Sequence, residues 1–480
     1  MDPILFWNDV ALEANRVSHT NGKNEQTGPT LSARALAIVH LAMYDAYAGV
    51  INDASKLPRY IAAPPSPSPG PSPATENAAV AAAAHTTLSS LFPSQKPFFD
   101  SILNGVGDKS NPGHKFGENV GKEILADRAG DPGAGGDYVP KQQRGKHRVD
   151  PDNPGQGFYS PIYGGKSKGF AITKRHTLDA PPFDNNEYKE ALREVRGKGI
   201  APELMGTVPD DIEVRTVDAT AIGIFWGYDG ASGLGTPPRL YNQIVRQVAI
   251  NKPNPDTKKP NSPAQNARLF AFVNVALADA GILAWDEKYK HEFWRPVVGI
   301  REHDRSMGPA PTQAANDLSD DCDSSWLPLG APNTNRIAKN VTPNFPAYPS
   351  GHATFGASAF HITRLFYKDV SKERSDDLFD DLSFVSEESN GVNTDNKGAI
   401  RPRHLRNFPR GLWQMIEENG RSRVYLGVHW VFDAFAVKNN GDPDLDRMIG
   451  GVPLGLKIAN DIFQAGGEKA PKKSKVAPRT

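Results

Sequence analysis

Three short stretches hold the residue types that chemistry on an anion requires. Lys288-Tyr-Lys-His-Glu-Phe-Trp-Arg295-Pro296 sets two cations seven residues apart, which on a helix is a turn of about 700 degrees and one shared face. In Pro349-Ser350-Gly351-His352 a turn rich in Pro and Gly runs into an apolar helical stretch ending near Val370. Ser350 and Gly351 would occupy its first turn, where unpaired backbone N–H groups and the positive end of the helix dipole attract an anion. Ser422-Arg423-Val-Tyr-Leu-Gly-Val-His429-Trp-Val-Phe-Asp433 places Arg423 and His429 in otherwise apolar company. An unpartnered buried arginine is too costly to keep, so both are expected to face a pocket. Asp433, four residues after His429, would share its helix face and orient the imidazole.

Each stretch alone has a plain reading: a solvated charged face, a capped helix start, a helix with a histidine. Together they supply three cations, a helix N-terminus, a hydroxyl and two histidines, a set that fits a tetrahedral oxyanion. Arg295 and Arg423 can bind it in fork geometry, and Lys288 adds a compact charge that can polarise one attached oxygen. One histidine can attack or ligate the central atom while the other handles protons.

The elements that must position these groups read as helices. Helical patterns cover 29–50, 76–91, 95–106, 114–129, 186–197, 211–228, 238–251, 264–301, 372–389, 409–438 and 443–464, and runs of alternating β-branched residues are almost missing. The fold class is therefore all-α. His40, inside the first of these helices, reads as a partly buried, hydrogen-bonded residue. A Pro-rich linker covers 63–74, a long Gly- and Pro-dense break covers 130–169, and an acidic loop carries Asp317, Asp320, Asp321 and Asp323. That loop lacks the EF-hand glycine and glutamate offsets and reads as solvated rather than calcium-binding. The tail 466–480, with Lys469, Lys472, Lys473 and Lys475, is expected to be disordered.

Composition narrows the function. Lys plus Arg and Asp plus Glu are equal at 55 each, so no overall field recruits nucleic acid or an anionic membrane, and anion binding must come from local clustering. No run approaches the roughly 18 to 20 consecutive apolar residues of a membrane span, and the N-terminus lacks the pattern of a secretory signal. Cys322 is the single cysteine, which excludes an intramolecular disulfide and a cysteine-cluster metal site.

The order and spacing of the three stretches resemble the signature shared by acid phosphatases of the phosphatidic-acid-phosphatase superfamily and the vanadium haloperoxidases. Outside them, Ile4-Leu-Phe-Trp-Asn8, Leu31-Ser-Ala-Arg-Ala-Leu36, Tyr228-Asp229-Gly230, Gly235-Thr-Pro-Pro-Arg239 with Tyr241-Asn-Gln-Ile-Val-Arg246, and Asn390-Gly-Val-Asn393 look most like the fungal vanadium chloroperoxidases. The resemblance implies two packed four-helix bundles with long loops, about 1–200 and 205–465, the anion site lying in the C-terminal one. It implies orthovanadate as cofactor and oxidation of chloride or bromide by hydrogen peroxide to hypohalous acid, which then halogenates organic acceptors. By the family pattern His429 binds vanadium, Lys288, Arg295, Ser350, Gly351 and Arg423 hold the oxyanion, and His352 is the acid–base group. Lys288 also polarises bound peroxide, and Asp229 pairs with Arg423 and influences His352. Trp285 and Phe345, readable as core aromatics from spacing alone, become the wall of a halide pocket. Secretion or a cell-surface place is likewise an implication of the family, and oligomeric state is left open. The spacer between His352 and Arg423 is longer than in simple phosphatases, and His291 stands where an apolar residue is expected, near enough to alter local pKa values. The alternative reading is an acid phosphatase on the same site, with His429 as the nucleophile forming a phosphohistidine. A second alternative is a non-catalytic helical binding protein.

Overall fold

The computed structural model describes residues 2–68, 70–303, 307, 321–372 and 374–479. Fourteen α-helices dominate the described residues: α1 (Pro3–Ser18), α2 (Pro29–Ile51), α3 (Pro73–Leu91), α4 (Lys96–Val106), α5 (Pro112–Asp127), α6 (Tyr163–Lys166), α7 (Asn186–Lys198), α8 (Val217–Phe225), α9 (Pro237–Asn251), α10 (Pro263–His291), α11 (Pro296–Glu302), α12 (Gly351–Phe366), α13 (Gly411–Tyr425) and α14 (Gly451–Ala465). Four short strands form two antiparallel pairs, β1 (Leu382–Val385) with β2 (Leu405–Phe408) and β3 (Ala436–Val437) with β4 (Pro443–Asp444). The chain is thus mostly helical, as expected, with small strand pairs that the sequence pattern did not suggest.

Helix α10 is the axis of the fold. It is apolar almost all round, which suits a helix surrounded by others, and it packs against α2, α6, α12 and α14. A capping box of Ser262 and Gln265 starts it, and Glu292, in the left-handed region, ends it. Asp279, fully buried in its middle, accepts the backbone N–H groups of Phe170, Ala171 and Ile172 at 2.7, 2.7 and 2.9 Å. Both α2 and α10 are long and apolar enough to cross a membrane, but 89% and 94% of their apolar windows are buried inside the fold, so they read as core helices.

Close approach fixes α12 against α14. A Cβ at Gly451 would lie 2.6 Å from the Ser350 carbonyl, and one at Gly455 2.6 Å from the Thr354 carbonyl. Only glycine lets α14 lie this near the start of α12.

Several expected elements differ. Residues 372–389 hold β1 and the 3-10 turn Glu387–Ser389 rather than a helix. The helix expected over 409–438 ends at Tyr425, because Gly427 takes φ +72°, a conformation that a helix cannot continue. The final helix begins at Gly451, since Pro443 lies in β4, and 211–228 is helical only over α8. Segment 466–479 is not a free tail. Its backbone pairs with the 165–170 segment through Gly169 N–H to Val476 O, Ser474 N–H to Phe170 O and Arg479 N–H to Gly165 O, at 2.9, 2.9 and 2.7 Å. Arg479 also meets the buried Asp286; lysine content alone carries no sign of such backbone partners. In the acidic loop, Asp317 and Asp320 lie outside the described residues, Asp321 pairs with Arg193, and Asp323 accepts Ser325 N–H.

Candidate active site

The second and third stretches line one cavity of ≈ 170 Å³, whose wall includes Asp229, Trp285, Phe345, Gly351, His352, Arg423 and His429, and the first stretch supports that wall from behind, Arg295 donating to Phe345 O and His429 Nε2. Lys288, in the last turn of α10, is 0% exposed, and its ammonium donates to the carbonyls of Pro346, Ala347 and Pro349 at 2.8, 3.0 and 2.5 Å. Burial pushes its pKa well down; Arg295 and Arg423 push the same way and Asp433 opposes them.

Arg295 reaches the same place by another route than expected. It does not share a helix with Lys288: α10 ends at His291, the chain turns through Glu292, and Arg295 returns as the residue before α11. Its Nε donates to Phe345 O at 2.9 Å, and Nη1 to Val428 O and His429 Nε2 at 2.8 Å each. Nη2 is buried with no partner. Burial lowers its pKa to about 9.

Ser350 caps α12, its hydroxyl accepting Ala353 N–H at 3.3 Å, and its own N–H donates to Asp433 O at 2.8 Å. This last bond stitches the helix start to the segment bearing His429. Gly351 faces Trp285 so closely that a Cβ would lie 3.2 Å from the indole. The His352 carbonyl is pinned by Asn419 Nδ2 at 2.7 Å and Tyr241 OH at 3.2 Å.

His352 Nε2 lies 2.8 Å from Gly227 O and 3.4 Å from Arg423 Nη1. A carbonyl only accepts, so Nε2 carries the hydrogen and, in the neutral ring, Nδ1 carries the lone pair. Burial and the adjacent Arg423 lower the His352 pKa to about 4, with Asp229 opposing. Arg423 is clamped by Asp229 in a bidentate pair, 2.8 and 2.9 Å, while its Nε is buried and unpartnered.

His429 and Asp433 make the contact that their spacing suggested, Nδ1 to Oδ2 at 2.7 Å, though not across a helix face. His429 lies in a loop and Asp433 in the 3-10 turn Val431–Asp433, where Oδ2 also accepts Trp430 N–H at 3.1 Å. With Nδ1–H on the carboxylate, the Nε2 lone pair is turned toward Arg295. Burial and the cations of Arg295 and Lys288 hold His429 neutral, its pKa well below the usual range, and burial raises Asp433 to about 7.

Trp285 and Phe345 stand over these groups with ring centroids 4.9 Å apart, and Lys288 Nζ is 5.0 Å from the Phe345 centroid. His291 turns away, bonded to Glu287 at 3.0 Å and stacked edge-on against Tyr348. Two contributors had no mark in the sequence. Gly227 acts through a backbone carbonyl, and Tyr159, from the Gly- and Pro-dense break, joins the aromatic wall beside Trp285 with centroids 6.2 Å apart.

The site can hold an anion. Arg295 Nη2 and Arg423 Nε are buried donors of permanent cations left without acceptors, a costly state unless a ligand supplies them. Three basic groups, Lys288, Arg295 and Arg423, meet two acidic ones, Asp229 and Asp433, and an oxyanion among them would favour the charged forms of the basic groups.

Residues 1–159 match the family model described as vanadium chloroperoxidase N-terminal domain, and residues 268–443 that described as VCPO second helical-bundle domain. Vanadium chloroperoxidase from Curvularia inaequalis is 35% identical over 590 residues, covering 99% of this chain and 92% of that protein. Among solved structures, the first bacterial vanadium-dependent iodoperoxidase aligns with a TM-score of 0.58 at 18% identity over 96% of both chains. An apo-type bacterial vanadium-dependent chloroperoxidase aligns with a TM-score of 0.60 at 16% identity, over 92% of this chain and 94% of that one. At such identities the two structures speak for the fold alone.

Proposed function

The chain belongs to the vanadium chloroperoxidase family, and we propose that it uses orthovanadate to oxidise halide with hydrogen peroxide, releasing hypohalous acid. The observation that carries this reading is the pair of orphaned guanidinium donors, Arg295 Nη2 and Arg423 Nε, beside an imidazole whose Nδ1–H is spent on Asp433. His429 would bind vanadium through Nε2, with Asp433 fixing the ring and raising its basicity. Lys288, Arg295, Arg423, Ser350 and the Gly351 N–H would hold the oxygens. When bound, vanadium(V) supplies a Lewis acid that activates peroxide without changing oxidation state.

The chain's own groups do the rest. His352, with hydrogen on Nε2, can take a proton from entering peroxide at Nδ1 and later return it. Lys288, whose ammonium is bonded to the carbonyls of Pro346, Ala347 and Pro349, would exchange one of these bonds to draw electron density from a peroxide oxygen. Asp229 holds Arg423 in place and keeps His352 more basic than its cationic neighbour would leave it. The apolar Trp285–Phe345 wall favours a poorly hydrated halide, which supports chloride as well as bromide as substrate, with organic molecules as halogen acceptors. The division into bundles of about 1–200 and 205–465 belongs to the same proposal. Its support is the packing of α2, α3 and α5 together and of α12 with α10, α13 and α14, with α2 and α10 packing across the division.

The test is monochlorodimedone halogenation by purified apo-protein with peroxide and halide, before and after orthovanadate, alongside p-nitrophenyl phosphate hydrolysis. Halogenation should appear only with vanadate. Hydrolysis by the apo-protein with no halogenation under any condition would overturn the proposal in favour of a phosphatase. The relatives favour the peroxidase reading over that one.

A further inference from the structure

The long spacer between His352 and Arg423 supplies Asn419, which holds the His352 carbonyl, and in addition two consecutive glutamates that hold the turn serving the His352 ring. Glu388, in the 3-10 turn Glu387–Ser389, is 0% exposed. Its Oε1 accepts Tyr228 N–H at 2.9 Å, and its Oε2 takes the Thr334 hydroxyl and Arg401 Nη1, the latter at 2.9 Å. Glu387 N–H donates to Tyr228 OH at 3.1 Å, and that hydroxyl donates to Gln243 Oε1 at 3.1 Å. Tyr228 is therefore gripped at its backbone and at its ring.

The grip has a reason. Tyr228 has φ +54°, a left-handed conformation that a bulky side chain adopts only when its surroundings impose it. The neighbouring Gly227 admits no side chain, because a Cβ there would lie 2.5 Å from Glu388 Oε1. On one side of Tyr228 the Gly227 carbonyl takes the His352 Nε2 hydrogen; on the other, Asp229 clamps Arg423. The Asn390–Asn393 motif closes the device: Asn390 Oδ1 accepts Val392 and Asn393 N–H at 2.9 Å each, and Asn393 Nδ2 donates to Glu387 O at 2.8 Å.

We propose that Glu388 is a positioning residue for His352: by holding Tyr228 N–H it sets the 227–229 turn, so that Gly227 O keeps the imidazole hydrogen on Nε2. This rests on the reading of His352 as the proton-handling group. The charged and titratable groups facing His352 are Arg423, Asp229 and His429, and those facing Glu388 are Arg401 and Asp229, with the Thr334 hydroxyl and the Tyr228 N–H.

The test uses full-length apo-protein labelled with ¹⁵N-histidine, whose ring tautomers are read from two-bond ¹H–¹⁵N spectra at pH 7, with the His352 signals assigned through His352→Gln. Wild type should show the Nε2–H form. Glu388→Ala should show mixed tautomers and, after loading, a kcat at least about tenfold lower, since small misplacements of a reacting group carry costs of that order. Its vanadate affinity, measured by equilibrium dialysis, should stay within about threefold. Glu388→Gln keeps an acceptor for Tyr228 N–H and should restore both tautomer and kcat, which repair of a general packing defect would not require. A folded Glu388→Ala with wild-type tautomer and turnover overturns the proposal, as does a Gln variant that behaves like the Ala one. If Glu388→Ala does not fold, Thr334→Val loosens Glu388 while leaving the turn intact: a tautomer shift supports the proposal and an unchanged spectrum overturns it. The spectrum needs no halogenation, so an inactive wild type would defeat the functional reading without deciding this one.

Discussion

Arg295→Lys separates charge from geometry at the site. The guanidinium has five N–H donors; Nε and Nη1 serve Phe345 O, Val428 O and His429 Nε2, leaving Nη2 for the anion. Lysine keeps the unit charge, but one ammonium cannot hold two carbonyls some way apart and also face the cavity. The cage's net charge is unchanged, so the loss measures a hydrogen bond to a charged group, about 1.5–3 kcal/mol, or about 10- to 150-fold in Kd. The two stranded carbonyls add a separate cost to apo-protein stability of about 1 kcal/mol each. Equilibrium dialysis of apo-protein against orthovanadate, with vanadium counted by mass spectrometry, gives the first quantity and urea unfolding the second. Arg295→Gln, which also removes the charge, should bind more weakly still. Vanadate affinity within about threefold of wild type in Arg295→Lys would refute the assignment of Nη2 to the oxyanion.

His429→Ala should lose stoichiometric vanadate binding and halogenation while keeping the helical circular dichroism; unchanged affinity removes His429 as the ligand. His352→Ala should still bind vanadate but lose about a hundred- to ten-thousand-fold in turnover, and near-wild-type turnover contradicts its role. Asp229→Asn removes the carboxylate that raises the His352 pKa against Arg423, now about 4. The pKa should fall further, so the acid limb of kcat/KM should move to lower pH; a shift upward or none speaks against the pairing. Phe345→His should reduce chloride turnover more than bromide turnover, because it hydrates the wall over the site, and equal losses would detach Phe345 from halide choice.

The residues that the structure brings together were legible as candidates because side-chain type carries the chemistry: buried arginine, lysine and histidine are costly enough to suggest a ligand. Their geometry was less legible. Lys288 and Arg295 were expected on one helix face, yet the chain breaks at Glu292 and brings Arg295 back from the next element. His429 and Asp433 were expected one helical turn apart and meet instead through a 3-10 turn past Gly427. In both cases the contact survives because it is enforced by long-range packing, which spacing arithmetic does not contain. The contribution of Gly227 was invisible, since a backbone carbonyl has no residue-type signature. Glu388 was invisible for another reason: one of two adjacent glutamates in a polar stretch looks solvated until the turn it grips is known. The stretch around it was expected to be helical, and β1 shows how weak a four-residue strand signal is beside helix-forming composition.

The cavity wall contains neither cysteine nor methionine. Met43 and Met415 are buried elsewhere, and Cys322 lies outside the cavity. Thiols and thioethers are the protein groups that oxidants consume first; with none in the wall, the most oxidisable groups there are the rings of Trp285 and Tyr159. Lys288, the amine nearest the site, has its ammonium bonded to three carbonyls, which favours the protonated form that has no nitrogen lone pair to be halogenated. The oxidant proposed as product would meet sulfur among the described residues only after leaving the cavity. The lifetime of the catalyst in its own product is then set by how fast that product diffuses outward, and by the sacrificial residues it finds on the outer surface.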